Sequence, residues 1–196
     1  MAGVTSQYYS DNSQEFFAST VTVDMTPQYE QFLKYVPSGS TILDLGCGSG
    51  RDTKAFLTMG YAVEAIDGSE ELCRLASDYT GITVKCMDFM ELNSIERYDA
   101  IWACASLLHV PSAKLPILLS KMKDALRENG IVYMSFKHGD FEGKRDGRFF
   151  LDMTSERFHA LCNTDTGFQI EEEWYSEDVR IDKTDIWYNC IVRKMR

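Results

Sequence analysis

The chain reads as an α/β protein in three layers, with helices on both faces of a mostly parallel, seven-stranded sheet. Three observations predict this. Short β-type runs alternate with helical patterns through most of the 196 residues, a glycine-rich turn follows the first such run, and the last two runs follow one another with no helical pattern between them. The alternation implies a Rossmann-like sheet, and the final pair implies an antiparallel C-terminal hairpin. With 44% hydrophobic and 26% charged residues, the length fits one domain over 1–196, with N-terminal helices over 1–37 and the sheet core over 38–196.

Residues 8–20 (YYSDNSQEFFAST) place Tyr9, Phe16, Phe17 and Thr20 near helical spacing. Residues 26–36 open with Thr26 as a cap and Pro27 at the first helical position. TILDLG after Ser38-Gly39 is the first strand, and RDTKAFLTMG is an amphipathic helix that stops at Gly60. YAVEAID is the second strand, ending at Asp67, and Ser69 caps EELCRLASDY. ITVKCMDF is the third strand. YDAIWACASLLHV is the fourth, and it leads into the helix KLPILLSKMKDALRE with Pro116 near its start. Asn129-Gly130 reads as a turn into the fifth strand, IVYMSFKHG. DFEGKRDGRFF reads as a polar loop and TSERFHALCNT as a helix. GFQIEEEWYSEDV and TDIWYNCIVRKM form the hairpin, where Trp174 and Trp187 read as packing residues.

A formal charge of -10 repels a polyphosphate backbone, so a nucleic-acid partner is not expected. Six dispersed cysteines without a CxxC pair indicate reduced thiols in a cytoplasmic protein and no metal site. The N-terminus lacks a basic region followed by an apolar core, and no uncharged apolar run is long enough for a membrane span, so neither a secretory leader nor a membrane association is expected.

The chemistry concentrates in LDLGCGSGRD, residues 43–52. Gly46, Gly48 and Gly50 let the backbone turn sharply from strand to helix and allow a ligand close to the peptide planes, while the following helix offers free N–H groups. These features alone fit NAD, FAD, a nucleotide or S-adenosylmethionine. The spacing is GxGxG, without GK[ST], and Asp67 lies where an acid accepts from ribose hydroxyls. Asp44 beside the loop would repel a pyrophosphate and tolerate an ammonium or sulfonium, which favours a cationic ligand.

Over nearly its whole length the chain resembles the class I S-adenosylmethionine-dependent methyltransferases. LDLGCGSG matches that family's first motif; Asp67 in AIDGS, Asp88 in CMDF and DAIWACASLLHV at 99–110 follow in order. The resemblance implies that Gly46, Gly48 and Gly50, with Cys47 between them, wrap the methionine part. It further implies Asp67 on the ribose with Gly68 and Ser69 beside it, Asp88 on the adenine amino group with Phe89 by the ring, and Cys104 and Ala105 on the far wall. Arg51 would pair with the methionine carboxylate, and Tyr8 would belong to an N-terminal lid. YYxxNxxEFF, LLHVP and RFFLDMT are similar to the bacterial tellurite-resistance methyltransferase group.

Methyl transfer requires positioning, exclusion of water and, for a protonated acceptor, a base. His109, after the fourth strand, reads as that base, as an anchor for an anionic acceptor, or as a packed turn residue. The stretch 135–154 reads as a binding loop, with Arg148 and Arg180 as a clamp for a small anion. The expected activity is methyl transfer to a small molecule or oxyanion by a monomer or homodimer. An RNA or protein methyltransferase and a non-catalytic cofactor-binding module are the alternatives.

Overall fold

In the computed structural model, which describes residues 2–162, 166–180 and 183–195, three helices precede the sheet: α1 (Ala2–Asp11), α2 (Ser13–Thr20) and α3 (Thr26–Leu33). Then follow β1 (Thr41–Leu45), α4 (Arg51–Thr58), β2 (Ala62–Asp67), α5 (Glu70–Thr80), β3 (Lys85–Cys86), β4 (Tyr98–Ala103), α6 (Leu115–Ala125) and β5 (Leu126–Lys137). β6 (Glu142–Arg145), β7 (Arg148–Leu151), α7 (Ser155–Leu161), β8 (Phe168–Glu177) and β9 (Ile186–Lys194) complete the order. Short 3₁₀ turns at Phe89–Glu91 and Leu107–His109 follow β3 and β4.

Seven strands form one sheet in the order β3-β2-β1-β4-β5-β9-β8. The first five are parallel, and β9 runs antiparallel to both β5 and β8, as the helix-free C-terminal runs predicted. The chain steps outward from β1 to β3 and then returns to β4 on the other side of β1. The crevice at the carboxyl ends of β1 and β4 is therefore the switch point, where open α/β sheets bind ligands.

β1 is buried along nearly its whole length, which is why TILDL reads as an apolar run rather than an alternating one. On one face Phe32 from α3 and Phe56 from α4 pack on Trp102 and Tyr133, and these two rings, paired in register on β4 and β5, stack at 4.0 Å and 15°. On the other face α6 and α7 cover Ile101, Val132, Met134 and Phe136. Deleting a ring as enclosed as Phe32 costs about 3–5 kcal/mol in comparable cores.

The fourth strand ends at Ala103 rather than Val110, the helical stretch over 8–20 is divided between α1 and α2, and four further elements differ from expectation. The third strand shrinks to Lys85–Cys86 at the sheet edge, because Asp88 turns the chain by accepting from Met90 N at 2.8 Å. β5 begins at Leu126 and runs through Asn129-Gly130, whose expected turn is a kink: Asn129 takes a left-handed φ of 61° where the register against β4 shifts. The polar loop is the hairpin β6–β7, closed by Asp146 and Gly147 at φ 50° and 75°, the positive pair that suits a two-residue hairpin turn. Helix α3 is capped by Met25 rather than Thr26, whose N–H donates to Asp24 Oδ1 at 2.9 Å.

Candidate functional site

Between β1 and α4 the backbone passes through left-handed conformations at Gly46, Gly48 and Gly50. A Cβ on Gly46 would lie 2.5 Å from Ser106 Cβ and 2.9 Å from the Phe89 ring, so the loop can lie this deep only as glycine. Beside it is a crevice of about 130 Å³, lined by Gly46, Gly48, Asp67, Gly68, Ser69, Asp88 and Phe89, with Thr5, Ser6, Tyr9 and Phe16 from the N-terminal helices over it. Asp67 Oδ2 accepts from Gly48 N and Oδ1 from Ser69 N, both at 2.9 Å. This acid therefore ties the glycine loop to the start of α5, and each oxygen keeps a lone pair for a ligand. Burial raises its pKa, and the backbone N–H donors partly offset that rise. Ser69 Oγ caps α5 through Leu72 N and meets Ser10 Oγ at 3.1 Å.

A second, larger cavity of about 1030 Å³ adjoins the crevice. Tyr8, Cys47, Arg51, Cys104 and Arg148 line it, and Tyr9, Phe16, Gly46, Gly48, Ala105 and His109 line both spaces. Ala105 adopts φ 51°, held by its N–H to Ser135 Oγ at 2.8 Å. Burial raises the thiols of Cys47 and Cys104, the latter to about 12, so both are neutral walls.

Several expected contacts are corrected. Gly50 lines neither space: its open position lets α4 approach α5, since a Cβ there would meet Thr80 Cγ2 at 2.8 Å. Asp44 also lines neither and is 2% exposed beneath the loop, accepting from Thr53 Oγ1 at 2.5 Å. Burial, reinforced by the charge of Asp52, pushes its carboxyl well above the ordinary carboxylate range. Tyr8 faces the larger cavity rather than the crevice, under the Arg148 guanidinium at 4.5 Å. Arg51 reaches the larger cavity but is held by Asp52 through Nε at 2.6 Å and Nη2 at 3.0 Å. Arg180 lines the same cavity as Arg148 and is engaged by Asp178, through Nε at 2.9 Å and Nη2 at 2.6 Å.

Sequence reasoning missed Asp52, which also accepts from Tyr29 Oη at 2.5 Å and Trp102 Nε1 at 2.8 Å. Burial alone would raise its pKa, but Arg51 and these donors outweigh it and hold the carboxyl below its ordinary value. In sequence it is an ordinary acid in a helix's first turn. Trp187 was also missed: it faces the larger cavity and donates from Nε1 to Asp178 Oδ2 at 3.1 Å. Two buried acceptors, Gln28 Oε1 at the larger cavity and Ser106 Oγ at the crevice, have no partner among the described residues, and neither has Arg148 Nε.

At the junction of the two spaces three side chains meet. His109 Nδ1 is 2.6 Å from the Phe149 carbonyl and Nε2 is 2.9 Å from Tyr9 Oη, which in turn accepts from Arg148 Nη1 at 3.3 Å. Burial, helped by the Arg148 charge, lowers the His109 pKa to about 4. Arg148 packs over the rings of Tyr8, Tyr9 and Phe150 at 4.5, 5.7 and 5.0 Å. Unlike Arg51, Arg145 and Arg180, it pairs with no carboxylate among the described residues.

Residues 42–130 match the family model described as a methyltransferase domain. In overall structure the chain is similar to the 1,6-didemethyltoxoflavin-N1-methyltransferase of Burkholderia thailandensis, at a TM-score of 0.77 and 21% identity over 97% of this chain and 85% of that one. That structure holds 1,6-didemethyltoxoflavin and S-adenosylhomocysteine. The fold is that of the class I methyltransferases. Among curated proteins, a ubiquinone biosynthesis O-methyltransferase of Glaesserella parasuis is 28% identical over 110 residues, 50% of this chain and 45% of that enzyme. An N-terminal Xaa-Pro-Lys N-methyltransferase 1-B of Xenopus laevis is 33% identical over 98 residues, 46% and 44% of the two chains. The match thus spans under half the length of each of these relatives. Within the methyltransferase fold the crevice lies at the carboxyl edge of β1, β2 and β4. Among the described residues no helix is long and apolar enough to cross a membrane, and no cluster of side chains suits a metal ion.

Proposed function

We propose that the chain, acting as a single unit over 1–196, binds S-adenosylmethionine with its adenosyl part in the crevice and its methionine part at the adjoining edge of the larger cavity, and transfers its methyl group to a small molecule held in the rest of that cavity. The observation that carries this reading is the junction: six residues line both spaces, so a donor reaching across it and an acceptor in the larger cavity meet there. The glycine-only cradle, the lone pairs of Asp67 and the unpartnered Ser106 Oγ suit an adenosyl ligand. When bound, that ligand supplies an electrophilic methyl carbon on a cationic sulfur. In this reading Asp67 receives the ribose hydroxyls, Asp88 and Phe89 take the adenine, Cys47 and Gly48 flank the methionine part, and Arg51, aimed by Asp52, meets its carboxylate.

Arg148 orients the acceptor. A guanidinium stacked on three rings, without a carboxylate of its own, is a fixed donor for an anionic group on a small molecule. The three segments similar to the tellurite-resistance group supply Tyr9, His109 and Arg148, which converge on the junction, and this supports that finer assignment. Six unpaired cysteines support the cytoplasmic setting. Calorimetry with S-adenosylhomocysteine and with NAD tests the reading. Binding of the adenosyl compound alone is the expected result, and binding of NAD in its place would overturn it.

A further inference from the structure

We propose that Tyr9 is the residue that meets the acceptor, and that it selects a small acidic molecule whose nucleophile is an O–H or N–H. The proposal rests on the methyltransferase reading and deepens it. The Phe149 carbonyl can only accept, so His109 carries its proton on Nδ1, and the lone pair on Nε2 receives the Tyr9 hydroxyl. Both ring nitrogens are thereby occupied, and an acceptor reaches His109 only through Tyr9.

With its proton directed at Nε2, Tyr9 Oη presents lone pairs. One takes the Arg148 Nη1–H at 3.3 Å, and the other is left at the boundary of crevice and cavity. The ring is held edge-on to Phe16 at 5.0 Å and to His109 at 5.5 Å, so the oxygen is fixed in place. A fixed oxygen with only a lone pair to offer favours a partner that brings a proton and disfavours a bare carboxylate nucleophile. The anionic group of such a molecule is served elsewhere, by the Arg148 Nε–H that lies buried without a partner.

The step balances as follows. The acceptor's lone pair forms the bond to the methyl carbon as the carbon–sulfur bond breaks with its electron pair left on sulfur. The acceptor's proton moves to Tyr9 Oη while the Tyr9 proton moves to His109 Nε2, leaving a neutral tyrosine and an imidazolium. Positive charge leaves sulfur and appears on the imidazole, so the enclosed site keeps its net charge. Tyr9 is the catalytic residue of the pair, and His109 acts through it.

The test measures transfer of labelled methyl from S-adenosylmethionine to salicylate, 3,4-dihydroxybenzoate and anthranilate, against benzoate and cinnamate, which offer only a carboxylate. Transfer to the first three and not to the last two is expected. Tyr9→Phe, which keeps the ring, should lower turnover on the order of 100-fold with S-adenosylhomocysteine affinity unchanged. His109→Gln should match it, and the double variant should be no slower than either, because residues acting as one unit are not additive. Tyr9→Phe at near wild-type turnover, multiplied losses in the double variant, or equal transfer to benzoate would overturn Tyr9 alone. No transfer to any acceptor while the adenosyl ligand binds would overturn the methyltransferase reading with it.

Discussion

Removing His109 should flatten part of the chain's acid sensitivity. The imidazole is enclosed by Tyr9, the Phe149 carbonyl, the Phe150 ring at 5.1 Å and the Arg148 charge, and its pKa falls from 6.5 to about 4. As pH drops below 6.5 the unfolded chain protonates this histidine while the folded chain does not. The unfolded state then binds more protons, and stability declines with falling pH until the folded pKa is reached. With those two values the loss between pH 7 and pH 5 is about 2 kcal/mol. Urea denaturation of wild type and His109→Gln at both pH values isolates this contribution as a double difference, since all other titrating groups are shared. Wild type should lose about 2 kcal/mol more than the variant over that interval. A stability gap that does not change with pH would refute the reasoning, because it would mean that His109 is solvated or protonated in the folded chain.

Other perturbations separate the parts of the site. Asp67→Ala should weaken S-adenosylmethionine binding by more than about tenfold in calorimetry, the scale of two lost hydroxyl hydrogen bonds. Arg148→Ala should raise acceptor KM by about tenfold or more while S-adenosylhomocysteine affinity stays near wild type; an unchanged KM would remove the anion-orienting role. Asp52→Ala strands the Arg51 guanidinium, the Tyr29 hydroxyl and the Trp102 N–H together, and thermal or chemical denaturation should show a loss of about 3–5 kcal/mol.

The sheet was legible because its signals are local and repeated. Apolar runs such as TILDL are buried strands, glycines and caps sit at the element ends, and the helix-free C-terminal pair can only return antiparallel. The Asp146-Gly147 hairpin was also written in the sequence, as a DG pair, but the charged residues around it read as loop. What the sequence could not carry was partnership across distance. Arg51, Arg148 and Arg180 look alike in a row of letters; Asp52 and Asp178 engage two of them, and Arg148 alone of the three pairs with no carboxylate among the described residues. Asp44 looked like a carboxylate at the lip of the loop, yet the pleat of β1 turns it beneath the loop toward Thr53. Tyr8 and Tyr9 are adjacent, and their division between cavity wall and junction follows from the turn of about 100° between successive residues of α1, which packs against α5 and β7.

The Trp102 indole has a practical use. Its N–H is joined to the same carboxylate that steadies Arg51, and its ring lies flat on Tyr133, a residue of the cavity wall. Any ligand that draws on Arg51 changes the charge felt by a fluorophore sealed from water. Emission that shifts on ligand addition in wild type but not in Trp102→Phe is then the expected sign that Arg51 is engaged, distinct from any response of Trp174 or Trp187.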